Sequence, residues 1–193
     1  MTGLRTRTLT ELRRLTVFIG HRHQVHFEFH VDNLLRSMCL PRSSAERPHP
    51  CLINAIYLIA SHFSRASLLS PYDRSFLARA RAGIAASVKA RDRVQNAIQA
   101  SCLVSFYLYF KSKVLEGYWM SGATCRLAIA CGLHQIKGVL LTSPAPETVG
   151  PLMGDTSSRP LALPEIKTNL ELGERIHTFW QVRNILVFPP PLY

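Results

Sequence analysis

The sequence predicts an all-α fold, a multi-helix array of packed antiparallel helices. Apolar residues recur at i, i+3, i+4 and i+7 in several segments, and helix-capping residues precede those segments. No run alternates with period two for long enough to form a strand. At 193 residues, of which 47% are hydrophobic, the chain is long enough to bury the core of one domain.

A helix is expected over residues 50–65. Pro50 follows His49 and occupies the first helical position, where a missing N–H costs nothing. The apolar residues at helical spacing are Leu52, Ile56, Ala60 and Phe63. A further helix follows Ser70, Pro71 and Asp73, which supply a cap, a helix-opening proline and an acid in the first turn. Its apolar stripe is Leu77, Ala80, Ile84 and Val88.

The next helix begins near Asp92 and has two apolar faces, so we expect it to be the central helix. One face carries Val94, Ile98, Cys102 and Phe106, and the other carries Leu103, Tyr107 and Phe110. Burial of Ile98, Cys102 and Phe106 follows. Burial also raises the pKa of a thiol, so Cys102 is expected to be inert.

Residues 114–131 are expected to form another helix, with Gly132 in a left-handed conformation just beyond its end. The face that carries Trp119, Ala123, Arg126 and Ala130 is interpreted as a packing face, with Gly122 beside it. This interpretation predicts that Trp119, Ala123 and Leu127 are buried. Arg126 is then interpreted as a structural arginine and not as a ligand.

A long loop over residues 137–164, rich in Pro, Gly, Ser and Thr, separates this helix from the last one. Thr168 and Glu171 have the spacing of a capping box ahead of the last helix. The apolar residues on that helix are Leu172, Ile176 and Phe179.

The chain is strongly basic, with 23 Lys plus Arg against 12 Asp plus Glu and a net charge of +11. Nucleic acid or another acidic partner therefore becomes a candidate. Because the cations are spread along the chain, with only a mild concentration over residues 74–93, a solvated face is favoured over a binding patch. The most apolar run, residues 97–110, falls short of the roughly 20 residues needed to cross a bilayer, so no membrane partner is expected.

No catalytic, cofactor-binding or metal-binding residue is predicted. Cys125 and Cys131 are about 9 Å apart on a helix, too far for a disulfide, and do not share a metal with His134. The segment HRHQVHFEFH places His23, His26 and His30 where a helix could gather them with Glu28 around one ion. The favoured interpretation is an amphipathic helix with partly exposed histidines. Its packing residues are Val25, Phe27, Phe29 and Leu34.

Four segments, taken in order, resemble the fungal-specific transcription factor domain, the middle homology region of fungal regulators. They are ERPHPCLINAIYLIASHFSR, FLARARAGI, NAIQASCLVSFYLYFKSKVLEGYWMSGATCRLAIACGLHQI and ELGERIHTFWQV. The structural motif residues within the resemblance are Pro50, Phe106, Glu116, Gly117, Trp119, Arg126, Gly132, His134, Glu174, Arg175, Phe179 and Trp180.

The resemblance implies a domain over residues 20–183 that includes the long loop. Residues 1–19 are expected to be a poorly defined N-terminal segment, and residues 184–193 a divergent tail. In the family further helices follow the Glu174–Arg175 and Phe179–Trp180 motifs, so the resemblance implies a domain truncated at its C-terminal end. An incompletely covered apolar flank, formed by Leu172, Ile176, Phe179 and Trp180, is then expected to promote self-association.

The resemblance also implies a non-catalytic regulatory domain of a nuclear transcription factor, whose partners are the transcription machinery, co-regulators or a second copy of the chain. In the family a six-cysteine cluster with two zinc ions reads DNA, and this chain contains no CxxC. Zinc and specific DNA binding are therefore not expected of this chain alone. Two alternatives stay open: a helical domain that senses a small-molecule effector, and a basic helical protein that binds nucleic acid directly.

Overall fold

The computed structural model describes residues 2–41, 43–64, 72–135 and 163–187. Within these ranges the chain forms seven α-helices and no β-strand, which confirms the all-α prediction. The helices are α1 (Thr2–His21), α2 (Val31–Cys39), α3 (Pro50–Phe63), α4 (Asp73–Ala90), α5 (Val94–Phe110), α6 (Val114–Ala130) and α7 (Asn169–Val187). Two short 3-10 turns, Arg22–Val25 and Leu133–Gln135, follow α1 and α6.

Helix α5 is the centre of the fold, as its two apolar faces predict. It packs against α3, α4, α6 and α7, while α3 also packs against α1 and α4. Every α5 residue from Ala97 to Tyr109 is buried, including Ile98, Cys102 and Phe106. Cys102 is completely buried, and burial raises the pKa of its thiol, in the direction predicted.

The start of α3 is fixed by its cap and by the turn between α4 and α5. Pro50 is the first residue of α3, as predicted, and the Nδ1 atom of His49 accepts a hydrogen bond from the Cys51 amide at 3.2 Å. The His49 amide donates to the Asn96 side chain on α5 at 2.9 Å. Arg93 donates to the Arg47 carbonyl and also pairs with Asp92, at 2.8 and 2.7 Å. These contacts hold the residues before α3 against the α4–α5 corner.

Helix α4 begins at Asp73, which places an acid in its first turn as predicted. The stripe predicted for this helix faces the core, with Ala80 buried and Leu77, Ile84 and Val88 packed against the core. The predicted capping residues Ser70 and Pro71 lie outside the described residues.

The histidine-rich segment is not the single amphipathic helix that we expected. Helix α1 ends at His21, and His26 adopts a left-handed conformation with φ of 49° before α2 starts at Val31. Val25 and Phe27 are both buried although they are two residues apart, a spacing that a helix cannot place on one face. The chain therefore turns here.

The predicted packing and exposure in this segment are nevertheless observed. Phe29 packs against the core and Leu34 is buried. His23, His26 and His30 are exposed.

Helix α7 begins with the predicted capping contact, since Thr168 Oγ1 accepts from the Glu171 amide at 3.2 Å. The Glu171 carboxylate accepts in return from the Lys167 amide at 2.8 Å, one residue earlier than in a standard capping box. Gln181 on α7 donates to the Val25 carbonyl at 3.1 Å.

The structure shows continuous helices at both predicted domain limits. Helix α1 continues through residue 19 and α7 continues through residue 183, so the limits at 20 and 183 stay predictions. Of the predicted 137–164 loop, residues 137–162 lie outside the described residues.

Helix α6 packs on α5 through small side chains, and here the sequence-based prediction is wrong. The buried residues of α6 are Gly117, Ser121, Thr124 and Ala128. Trp119 and Ala123 are exposed, and Leu127 is only partly buried. The reason is steric: a Cβ atom on Gly117 would lie 3.0 Å from Tyr109 Cε1 of α5, so only small residues fit between the two helices.

The end of α6 follows the prediction. The helix stops at Ala130, and Gly132 has φ of 78°, with its amide donating to the Ile129 carbonyl at 3.0 Å. Glycine adopts this left-handed conformation without a Cβ penalty.

The close contact between α5 and α6 predicts an asymmetry between two glycines. Gly117→Val inserts an isopropyl group against Tyr109 and is expected to lower the free energy of unfolding by about 1–3 kcal/mol. Gly122→Val is the matched control, because among the described residues no atom beyond the local α6 backbone lies within 4 Å of a Cβ built at Gly122. It should change the free energy of unfolding by less than about 0.5 kcal/mol. Urea denaturation of both variants measures this, and equal effects would contradict the packing described here.

The His49 cap predicts a loss of stability in mild acid. Nδ1 accepts a hydrogen bond only when the ring is neutral, and burial together with nearby Arg93 lowers the pKa of His49 although Asp92 opposes this. The unfolded chain therefore takes up the proton first, at its ordinary pKa of about 6.5. The stability from the cap is fully present above that pH and is lost as pH falls through the folded-state pKa. Its loss should cost about 1 kcal/mol.

His49→Asn is the variant that tests this, because asparagine caps a helix without titrating. Urea denaturation at a series of pH values should show a smaller acid-induced loss in the variant than in the wild type. The pKa of His62 is also lowered, chiefly by burial, and leaves a residual pH dependence in both proteins. Identical pH profiles would show that the His49 cap does not titrate.

Candidate interaction surface

The solvent-facing side of α6 carries its largest side chains. Leu115, Tyr118 and Trp119 are 87%, 70% and 72% exposed, and Ile129 is 49% exposed. We define the α6 outer face by residues at i, i+3, i+4 and i+7 along the solvent side of the helix. They are Leu115, Tyr118, Trp119, Gly122, Ala123, Arg126, Ile129 and Ala130. At 1.5 Å per residue this face is about 22 Å long.

This outer face is apolar except for Arg126. Single exposed apolar residues are ordinary, but a contiguous apolar patch on a protein surface marks a site of interaction. Tyrosine and tryptophan also contribute disproportionately to the binding energy of protein interfaces. The α6 outer face therefore has the composition of a protein-binding surface.

A cluster of charged side chains borders the N-terminal end of the face. Glu116 accepts hydrogen bonds from Arg81 of α4 at 2.8 Å and from Lys113 at 3.3 Å. The bond from Arg81, followed by that from Lys113, lowers the pKa of Glu116, so this carboxylate is ionised at neutral pH. The cluster joins α6 to α4 and brings two cations to this end of the face.

At its C-terminal end the face continues into an apolar groove between α6 and α7. The groove has a volume of about 270 Å³. Its lining residues are Cys125, Ala128, Ile129, His134, Phe179, Val182, Arg183, Leu186 and Val187. Ile129 belongs to both the face and the groove. At the rim, the Arg183 guanidinium lies 4.9 Å from the ring centre of Trp180, which is 47% exposed.

Some of the sequence-predicted motif residues meet at this surface. Trp119 and Arg126 lie on the α6 outer face, Glu116 lies at its border, and His134 and Phe179 line the groove. Arg126 is exposed, so its interpretation as a structural arginine within a packed interface is wrong: the face that carries it points to solvent.

The remaining motif residues serve the fold. Phe106 is buried and stacks on Phe110 with 6.3 Å between ring centres. Pro50, Gly117 and Gly132 set helix ends and helix contacts, as described above.

Glu174 and Arg175, which are neighbours in the sequence, make separate contacts. Glu174 accepts a hydrogen bond from Asn33 of α2 at 3.3 Å, and burial raises the pKa of its carboxyl. Arg175 donates to the Pro164 carbonyl ahead of α7, and burial lowers the pKa of its guanidinium. These two residues anchor α7 at both sides and lie outside the interaction surface.

One cluster has the residue types of a catalytic triad but not its chemistry. The Sγ atom of Cys51 lies 3.0 Å from His49 Nδ1, and His49 Nε2 lies 3.8 Å from Asp92 Oδ2. Cys51 is completely buried, and burial raises the pKa of its thiol to about 12. A buried, protonated thiol is neither a nucleophile nor reachable by a substrate, so the cluster serves as the cap of α3.

The described residues contain no group of three or more His, Cys, Asp or Glu side chains that could hold a metal ion. The five cysteines, all within the described residues, are free. In the same part of the chain, no helix combines the length and the hydropathy needed to cross a membrane.

Comparison with known proteins identifies the family. Neither a curated protein sequence nor a solved structure matches the chain. The family described as fungal specific transcription factor domain matches residues 19–181, which include α2 to α6 and most of α7. The chain therefore belongs to the fungal-specific transcription factor domain family.

Proposed function

We propose that this chain is a non-catalytic regulatory domain of a nuclear fungal transcription factor, and that it acts by binding other proteins through the α6 outer face. The observation that carries the proposal is the orientation of α6. Its small residues face α5, while Leu115, Tyr118 and Trp119 face solvent. Family membership supports the role in transcription.

The proposed partners are co-regulators or components of the transcription machinery. The α6 outer face presents two large aromatic side chains close together, with Arg126 two turns further along the helix. Trp, Tyr and Arg are the three residue types most enriched among the residues that dominate interface energies. DNA recognition is assigned in this proposal to a zinc-cluster module of the kind found in the family.

A small apolar effector is the second candidate, and the groove between α6 and α7 supports it. The groove volume of about 270 Å³ is close to the lower limit of about 300 Å³ for typical ligand pockets. Its lining is apolar apart from His134 and Arg183. A bound effector in contact with Ile129 would alter the same surface that partner proteins contact.

The proposed function predicts a specific loss of regulation. The chain is fused to an unrelated DNA-binding module in a fungal cell, and transcription from a reporter is measured. Leu115→Ser combined with Trp119→Ser should return the reporter to the level of the DNA-binding module alone, because removing two interface anchors costs at least about 2 kcal/mol of binding energy. Leu12→Ser on α1, also at an exposed apolar residue, is the control and should have no effect.

Thermal unfolding must show that the doubly substituted chain is as stable as the control. A reporter that responds equally to the doubly substituted and the unsubstituted chain would remove the α6 outer face from the proposal.

The proposal also predicts that this chain alone does not read a DNA sequence. The exposed cations of α4 can attract phosphate, but phosphate contacts carry no sequence information and weaken steeply as salt rises. These cations are Arg74, Arg79, Arg81 and Lys89. In titrations at near-physiological salt, CGG-containing and scrambled duplexes should bind equally weakly. A preference of about a hundredfold, roughly 2.7 kcal/mol, would reveal a DNA-reading element in this chain.

A further inference from the structure

We propose that the α6 outer face binds an acidic amphipathic helix of a partner protein. The inference rests on the proposed function, because it assumes that this face is an interface, and it goes further by naming the chemistry of the partner. Three features of the surface carry it: the spacing of the apolar side chains, the sign of the surrounding charge, and the position of Arg126.

The apolar side chains fit a helical partner. Leu115, Tyr118 and Trp119 form a raised cluster at one end of the face, and Ile129 stands at the other end. Between them lie Gly122 and Ala123, and within the described part of the chain no atom beyond the local backbone of α6 lies within 4 Å of a Cβ built at Gly122. A low centre between two raised ends lets a second helix approach closely, with its own apolar residues at i, i+3, i+4 and i+7.

Among the described residues, the charged side chains at this face carry a surplus of positive charge. Arg81 and Lys113 border one end, Arg183 borders the other, and Arg126 lies on the face itself. Glu116, an acidic residue at this border, is already paired with Arg81 and Lys113. Two cations share this one carboxylate, so acidic side chains at both ends of a bound helix and opposite Arg126 would meet a surplus of positive charge, which favours association and sets its orientation.

A second copy of this chain fits the same face less well. Each copy has a net charge of +11 and brings the same surplus of cations to the contact. An acidic partner removes this repulsion, whereas a second copy doubles it. Charge complementarity thus selects an acidic partner over self-association.

Arg126 gives the partner a defined register. It is the charged residue within an otherwise apolar stripe, two turns from Trp119 on the same side of α6. A carboxylate on the partner helix that reaches Arg126 would be shielded from water by the surrounding apolar contacts. Charge-assisted bonds of this kind are about twice as strong as neutral ones.

The experiment uses a synthetic peptide as the probe. The acidic peptide is an amphipathic helix with Leu and Phe at i, i+3, i+4 and i+7 and with Glu and Asp on both flanks. A second peptide has Lys in place of every acid, and a third has the acidic composition in scrambled order. The chain has two tryptophans, so Trp180→Phe leaves Trp119 as the single reporter of binding. Because Trp119 is 72% exposed, a bound helix should shift its fluorescence to the blue.

The acidic peptide is expected to bind, and the Lys and scrambled peptides to bind at least about tenfold more weakly. Raising the salt from about 50 to about 300 mM should weaken binding, because most of the attraction between exposed charges is then screened. Arg126→Glu should weaken binding by more than about tenfold, and Arg126→Gln by less. Lys89→Glu is the matched control: it makes the same charge change on α4, about 12 Å along that helix from Arg81. Its affinity should stay within about twofold of wild type.

Each contrary result overturns a different statement. Equal binding of the acidic and Lys peptides would refute the charge argument. Association of the chain with itself that strengthens with salt and is lost in Trp119→Ala, measured by sedimentation, would assign the face to a second copy. If no peptide binds while the reporter still depends on Leu115 and Trp119, the acidic partner is wrong and the proposed function stands. If the reporter is also unaffected, the proposed function itself fails.

Discussion

Burial of α5 on every side is the constraint on which the rest of the structure depends. A helix with all residues from Ala97 to Tyr109 out of solvent needs neighbours along its whole circumference, and α3, α4, α6 and α7 supply them. Each neighbour must match the side chains that α5 presents at that position. Where α5 presents Tyr109, α6 can offer only Gly117 and Ser121, whose hydroxyl lies 3.3 Å from the Tyr109 hydroxyl. The large side chains of α6 are thereby directed to solvent.

The sequence was sufficient to predict elements whose pattern is unambiguous. The start of α3 at Pro50, the acidic first turn of α4, the central position of α5 and the left-handed Gly132 all follow from local rules. It was insufficient for α6, because this helix is apolar on both sides and periodicity cannot choose between them. The choice depends on Tyr109, a residue of another helix. The prediction of a single amphipathic helix in the histidine-rich segment failed for a related reason. Val25 and Phe27 are two residues apart and both buried, and this spacing follows from tertiary contacts and not from a helical repeat.

The interaction surface was correspondingly harder to predict than the fold. The resemblance predicts the family and includes Trp119 and Arg126 among its motif residues, but their helical spacing alone indicates packing residues and not a surface. The cations at its border come from separate parts of the chain, and Arg81 and Glu116 are 35 residues apart. The surface forms only when α4, α6 and α7 pack around α5, and no single segment of the sequence specifies that packing. The structural roles of Glu174 and Arg175 likewise depend on hydrogen-bond partners outside α7. These partners are Asn33 and the Pro164 carbonyl.

The hydrogen bonds that hold α7 have a consequence for how the chain folds as it is synthesised. Asn33 and Glu174 are 141 residues apart, and Val25 and Gln181 are 156 residues apart. The turn after α1 therefore leaves the ribosome long before its partners on α7 exist, and contacts of such high sequence separation form slowly. Until then the apolar surface around that turn has no native cover from α7. Apolar surface exposed in this way makes an incomplete chain prone to aggregate, so the order of synthesis leaves the N-terminal half as the vulnerable part.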